Sequence, residues 1–354
     1  MIRKERISGV TTRSAHPDCT ETPGSKHVKA KAKRFYAFRA DFRECDFGQK
    51  GYIDPQTAGP SRISQHPSAN VVDFASMIQI RSMTAADLEL GLRLSRQAQW
   101  NQLEVDWRRF LELGGAGCFV AELNGVAVGT TTTCIFGSVA WIAMVLVDVA
   151  ARRQGVGSAL LKHALAFLDE RGGKTVRLDA TAAGQQVYEK LGFEPEYPLT
   201  RYEGSAMQAG TRCLTAEATA ALLPELIELD RRMTGTDRTR LLTRLFEETP
   251  DAFRVLHAAG KLEGFITTRP GANATQIGPC IASAQAGPIL LAEALNRCAG
   301  QAVFVDVPCD HVRAVTTLEA GGLKPQRHFM RMYRGQRILD QVEGLWASAG
   351  PETG

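Results

Sequence analysis

Metal-type spacing is missing from this chain. Its eight cysteines, at 19, 45, 118, 134, 213, 280, 298 and 309, include no C-x-x-C pair, and its 7 histidines do not cluster. That excludes a zinc-ligand pattern and the disulfide framework of a small secreted domain, so free thiols in a reducing cytoplasm and no metal are expected. Long apolar runs are missing too. The best, about Val139 to Val149, falls short of the roughly 18 residues a membrane span needs and reads as a buried strand. An apolar segment of the secretory-signal kind is also absent, so neither a membrane nor a secretory route is indicated.

A charge imbalance is confined to one end. Residues 1–76 carry 13 Lys and Arg against 8 Asp and Glu, while the rest of the chain carries 29 against 30. This stretch shows little amphipathic period, contains the basic run His27 to Arg34, and is interrupted by Pro17, Pro23, Pro55, Pro60 and Pro67. A disordered basic leader is expected, either a nucleic-acid arm, a targeting peptide or a solvated tail. A start codon assigned too early is the other reading, because Met77 opens directly onto a regular first strand. Outside the leader no nucleic-acid partner is expected.

From Met77 onward the pattern is periodic. Ile78 to Met83 reads as a strand, Thr84 and Asp87 as the N-terminal cap of a helix to about Gln97, and Leu103 to Leu113 as a second helix. Three strands follow, Gly117 to Leu123, Val126 to Phe136 and Val139 to Val149, the first two joined at the hairpin dipeptide Asn124-Gly125. A helix from about Val156 to Arg171, a strand Thr175 to Asp179, a helix Ala183 to Leu191 and a strand Glu196 to Tyr202 complete the unit.

The chemistry is concentrated where the third of those consecutive strands turns into a helix, at Arg152-Arg153-Gln154-Gly155-Val156-Gly157-Ser158. A helix N-terminus presents N–H groups that no earlier carbonyl satisfies, and glycines let a bulky anion approach them. The two arginines add full positive charge. A phosphate or pyrophosphate is the ligand that such a turn suits. About thirty residues on, Gly184-x-x-x-Tyr188-x-x-x-Gly192-Phe193 closes a helix into a strand. Together, Arg152-x-x-Gly155-x-Gly157 and this second motif resemble the two signatures of the GNAT (GCN5-related N-acetyltransferase) superfamily. The resemblance implies an α/β (α+β) fold with a mixed, mostly antiparallel sheet flanked by helices. It also implies acetyl-CoA as acyl donor, an amine acceptor, and a diphosphate site at Arg152, Gly155 and Gly157.

On that reading Val147, Val149, Arg152, Arg153, Gln154, Gly155, Val156, Gly157 and Ser158 form the cofactor site, with the backbone at Val147 polarising the thioester carbonyl. Tyr188 is the candidate general acid, since a phenol of pKa near 10 can protonate a departing thiolate; the alternative is a tyrosine packed on the sheet. Asp148, Glu122 and Asp106 are candidates for the base, with a water relay as the alternative. Trp100, Asn101 and Asp106, between and on the first two helices, are the candidate acceptor contacts for a small amine. Arg177 and Asp179 either pair with each other or face the ligand. A non-catalytic CoA sensor and an NAD-dependent oxidoreductase are the alternatives; the latter needs a glycine where Leu160 stands.

A shift of 130 residues lays Gly192-Phe193 over Gly322-Leu323 and Ala159 to Leu161 over Ile289 to Leu291. In the second copy Gly155 meets Gln285, Tyr188 meets Leu318, and the arginines meet small residues of Ile281 to Ser283. It resembles the degenerate GNAT-like domain that follows a catalytic one in an uncharacterised acetyltransferase group, including its closing strand Met330-Arg331-Met332. The expected organisation is a leader (1–76), a catalytic domain (77–205), a degenerate domain (212–335) serving as a wall of the acceptor groove, and a tail (336–354).

Overall fold

The computed structural model describes residues 77–208 and 214–354. The leader, with its basic run, lies outside the described residues. In the first half β1 (Ile78–Ser82), α1 (Leu88–Gln97), α2 (Glu104–Gly114), β2 (Phe119–Leu123), β3 (Val126–Phe136), β4 (Val139–Val147), α3 (Val156–Glu170), β5 (Thr175–Thr181), α4 (Ala182–Glu189) and β6 (Glu194–Ser205) follow one another. The second half repeats the plan with β7 (Ala216–Glu217), α5 (Leu223–Thr234), α6 (Thr239–Glu248), β8 (Arg254–Ala258), β9 (Lys261–Arg269), β10 (Thr275–Ala282), α7 (Ala286–Arg297), β11 (Ala302–Pro308), α8 (Val312–Ala320) and β12 (Lys324–Gly335). A last strand, β13 (Leu345–Ala347), comes after both.

Local chemistry sets most of these elements. The Thr84 amide bonds the Asp87 carboxylate at 2.9 Å where the first helical turn begins. Asn124 and Gly125 both take positive φ, 53° and 79°, as a two-residue hairpin turn requires. Strand alternation then builds two cores in the first half. Phe119 and Ala121 pack with α3 on one face, and Cys118 and Val120 pack with Leu94, Trp107 and Phe110 of α1 and α2 on the other.

The two copies share one mostly antiparallel sheet of 13 strands, ordered β1-β2-β3-β4-β5-β12-β6-β11-β10-β9-β8-β7, with β13 against β10. The closing strands are exchanged. β12 of the second half lies against β5 of the first, Gly335 opposite Thr175, and β6 of the first lies against β11 of the second, Ser205 opposite Ala302. Buried ion pairs fix this exchange. Arg331 on β12 grips Asp179 on β5 through two bonds of 2.9 Å, and Arg201 on β6 grips Asp306 on β11 through two of 2.8 Å. Arg177 therefore does not pair with Asp179; it bonds Glu196 at 2.6 Å and Asp340 at 2.7 Å. Removing one partner of such a pair strands a charge in the core, which is why the pairs specify register even where they add little net stability.

Residues 336–354, set apart above as a tail, are built into the sheet and the core: Trp346 is fully buried and β13 pairs Cys280 with Ala347.

Candidate active site

β4 and β5 are parallel neighbours only from Val139 to Trp141, whose partners are Thr175 to Arg177. Beyond Trp141 they part, and the β5-facing edge of Ile142 to Val147 lines a cleft of about 840 Å³. A bulge helps to open it. The β3–β4 register shifts between Thr130 and Thr132, and Met144 takes φ 51°. The Thr130 hydroxyl donates to the Met144 carbonyl at 3.0 Å and the Thr131 hydroxyl to that of Ala143 at 3.3 Å, which satisfies backbone groups that the irregular ladder displaces.

The anion turn sits at the mouth of that cleft. Arg152, Arg153, Gly155, Val156, Gly157 and Ser158 all line it, as does Val147. Gly155, the N-cap of α3, has φ 84°, a conformation that favours glycine, and no side chain caps the helix. The first α3 amides are thus left for a ligand. Gly157 leaves space of another kind: a Cβ there would touch the Val147 side chain at 3.6 Å, an ordinary contact with no backbone strain. Arg152 Nε donates to the Val147 carbonyl at 3.1 Å, tying the turn to the strand. Two residues of the expected set stay outside the cleft lining. Val149 is exposed beyond the end of β4, and the Gln154 amide donates to the Ala150 carbonyl at 3.1 Å.

Tyr188 lines the same cleft from α4. Its position follows from glycines: a Cβ at Gly184 would lie 2.9 Å from the ring, and the helix ends on Gly192 with φ 84°. Phe193 then meets the tyrosine edge-on, centroids 5.9 Å apart. Burial pushes the phenol up to about 12, so it stays protonated throughout the neutral and mildly alkaline range.

The three residues expected to contact the acceptor are placed differently from one another. Trp100 lines the cleft. Asn101 does too, but its amide is spent on the second half: Nδ2 donates to the Ala274 carbonyl at 2.9 Å, and Oδ1 accepts from the amides of Asn273 and Ala274 at 2.8 and 3.0 Å. Asp106 is absent from the lining; it is buried, accepting from the Leu103 amide at 2.8 Å and from Arg109 at 2.9 Å. The other two carboxylates weighed as a base are also engaged. Glu122 bonds Arg81 at 2.6 Å, and the Arg93 guanidinium holds the Asp148 carboxyl below the usual carboxylate range.

Sequence reasoning missed Arg201, Arg327, Phe329, Pro351 and Glu352, which complete this end of the cleft. The first and the next two come from the exchanged strands, and the last two from the segment beyond β13. That segment is held in place by Trp141, whose Nε1 donates to the Pro351 carbonyl at 2.9 Å, and by Arg238, which bonds the Gly354 carbonyl.

The corresponding groove of the second half is filled. β10 and β11 pair in parallel from Thr275 to Ile277 and then part as β4 and β5 do, but β13 occupies the opening. Trp346 lies on the first turn of α7, where a Cβ on Gly287 would be 1.9 Å from the indole, and donates to the Ala282 carbonyl at 3.2 Å.

An acetyltransferase (GNAT) family model matches residues 84–193, and an acetyltransferase (GNAT) domain model matches residues 226–347. The chain is a tandem member of the GNAT family, and an acyltransferase. The uncharacterized N-acetyltransferase YitH of Bacillus subtilis (strain 168) is 26% identical over 227 residues, which are 62% of this chain and 78% of that one. The fold is shared with a candidate acetyltransferase from Pyrococcus horikoshii at TM-score 0.68 and 24% identity, covering 82% of this chain and 100% of the other. A tandem GNAT protein from the clavulanic acid biosynthesis pathway matches at TM-score 0.54 and 15% identity, covering 75% and 100%. Among the described residues no helix is long and apolar enough to cross a membrane.

Proposed function

We propose that this tandem GNAT protein is an N-acetyltransferase that takes its acyl group from acetyl-CoA and delivers it to a small amine in the first-half cleft. The carrying observation is the convergence, in one cleft, of an uncapped helix N-terminus, an unpaired strand edge and the Tyr188 phenol. The diphosphate would lie on the amides of Val156 to Ser158 beside Arg152 and Arg153, and the pantetheine arm would run along the edge of Ile142 to Val147. Acetyl-CoA supplies a thioester carbon to an uncharged amine. Backbone N–H groups of that strand edge would stabilise the charge that gathers on the carbonyl oxygen. Tyr188 would hold its proton at the sulfur, where a thiolate develops. Asp106, Asp148 and Glu122 are each engaged by an arginine, as is the cleft-lining Asp179, and a water relay would carry the amine's proton.

A thiol-release assay with acetyl-CoA and a panel of small amines tests this reading. Tyr188→Phe should lower kcat about 10²–10⁴-fold while calorimetry shows CoA affinity unchanged. Equal kcat in the variant would remove the acid role, and intact CoA binding with no turnover by the wild-type chain would favour a sensor.

A further inference from the structure

The acceptor end of the cleft holds polar atoms that the fold leaves unanswered. Glu352 is 8% exposed at its side chain; Oε1 accepts from Gln102 Nε2 and lies 3.6 Å from Arg269 Nη2. Its other oxygen, Oε2, is buried without a hydrogen-bond partner, and so is Gln102 Oε1 beside it. Burying a carboxylate oxygen and an amide oxygen unbonded is costly, most of all for the charged group. Both residues line the cleft, with the two oxygens themselves lying just beneath its surface. Two acceptors close together, one of them charged, suit a group with several N–H bonds and a positive charge: an ammonium.

The same end carries charge of the other sign. Arg201 is committed to Asp306 through two 2.8 Å bonds. Arg327, on the exchanged strand β12, also lines the cleft and makes no ion pair among the described residues. Burial and the neighbouring Arg201 push its pKa down from the ordinary guanidinium value, and the acidic Asp306 and Glu203 offset only part of that. A polycation would be repelled there, whereas an anionic group would find its partner.

Resting on the acetyl-transfer reading above, we infer that the acceptor is an amino-acid-like amine whose amino group arrives as an ammonium on Glu352 and Gln102 and loses one proton to solvent before attack, and whose acidic group sits on Arg327. The segment after β13 is then part of the substrate site as well as of the core. It is the return of the chain to the first half that supplies the ammonium seat.

Matched probes separate the two ends: γ-aminobutyrate, n-butylamine, which lacks only the carboxylate, and spermidine, each assayed by thiol release and by calorimetry with CoA present. The wild-type chain should prefer γ-aminobutyrate over n-butylamine at least tenfold in kcat/KM and use spermidine least. Arg327→Gln, a half-buried residue with no ion pair to break, should erase the preference while leaving the KM for acetyl-CoA unchanged. Glu352→Gln places an N–H₂ group at one of the two oxygens and should raise the KM of both monoamines at least tenfold, with a partial return in Glu352→Asp. Equal use of γ-aminobutyrate and n-butylamine, insensitive to Arg327→Gln, would overturn the inference. So would a folded Glu352→Gln chain of unchanged amine KM. CoA binding without binding of any probe overturns the acceptor assignment alone, whereas failure to bind CoA overturns the reading beneath it.

Discussion

The two halves of this chain start from one plan and end with opposite grooves. In both, a strand pair parts after a short parallel stretch, and a helix begins at the opening. Both second helices close in the same way: Phe193 N bonds the Tyr188 carbonyl at 3.1 Å, and Leu323 N bonds that of Leu318 at 3.1 Å. Backbone geometry has been kept while the ligand chemistry has not. Where the first turn has Arg152, Arg153 and Gly155, the second has small residues and Gln285, and the Ser283 hydroxyl accepts from the Ala286 amide at 3.3 Å. Where the first groove is open, Trp346 fills the second. Leu318, fully buried, replaces the phenol of Tyr188. An apolar groove left open to water has to be covered, and the chain covers it with its own last strand; the residues beyond that strand then reach the first groove.

The equivalent glycines of the two helices break the comparison most sharply. Gly157→Glu adds no backbone strain and has room for its Cβ, but it points a negative side chain into the anion turn; CoA affinity should fall at least 100-fold with the melting temperature unchanged. Gly287→Ala should do the reverse. Its methyl meets the Trp346 indole, so stability should drop by about 1–3 kcal/mol on denaturant titration, with CoA affinity untouched. If Gly287→Ala weakened CoA binding, the second groove would hold cofactor after all. Stoichiometry by calorimetry, expected at one CoA per chain, sharpens the same point.

A smaller effect concerns pH. The general acid must be protonated, and burial raises the Tyr188 phenol from about 10 to about 12, so its loss should occur only toward the raised value. As pH rises from 7, kcat/KM for γ-aminobutyrate, a primary alkyl amine with a pKa of about 10.4, should climb up to about pH 10 as the amine loses its proton. A falling limb with a midpoint near 8 or 9 would assign the acid to another group.

Much of the fold is legible in the sequence, because it is decided locally. Asn124-Gly125 specifies its hairpin through two positive φ angles, Thr84 and Asp87 start α1, and Gly155 and Gly184 are glycines for reasons that sit within a few residues of them. The anion-turn and Tyr188 motifs are legible for the same reason, being continuous in sequence, and the structure brings both to one cleft. Nothing nearby in sequence announces that Ala274 and Arg109 take up polar atoms of Asn101 and Asp106, or that only Asn101 of the two lines the cleft.

What the sequence by itself determined, then, is the succession of elements, the repeat at 130 residues and the chemistry of the first turn. Only the tertiary structure decided which strands close which half, what fills the second groove and that Glu352 lines the first. Those outcomes rest on contacts between distant segments: Arg331 with Asp179, Trp346 on Gly287, and Glu352 beside Gln102, 250 residues away. Side-chain periodicity tells a strand which of its faces is apolar, but it carries no information on which of two similar neighbours the strand's backbone edge will meet. That choice is made by long-range burial and by the charges that must find partners once they leave water.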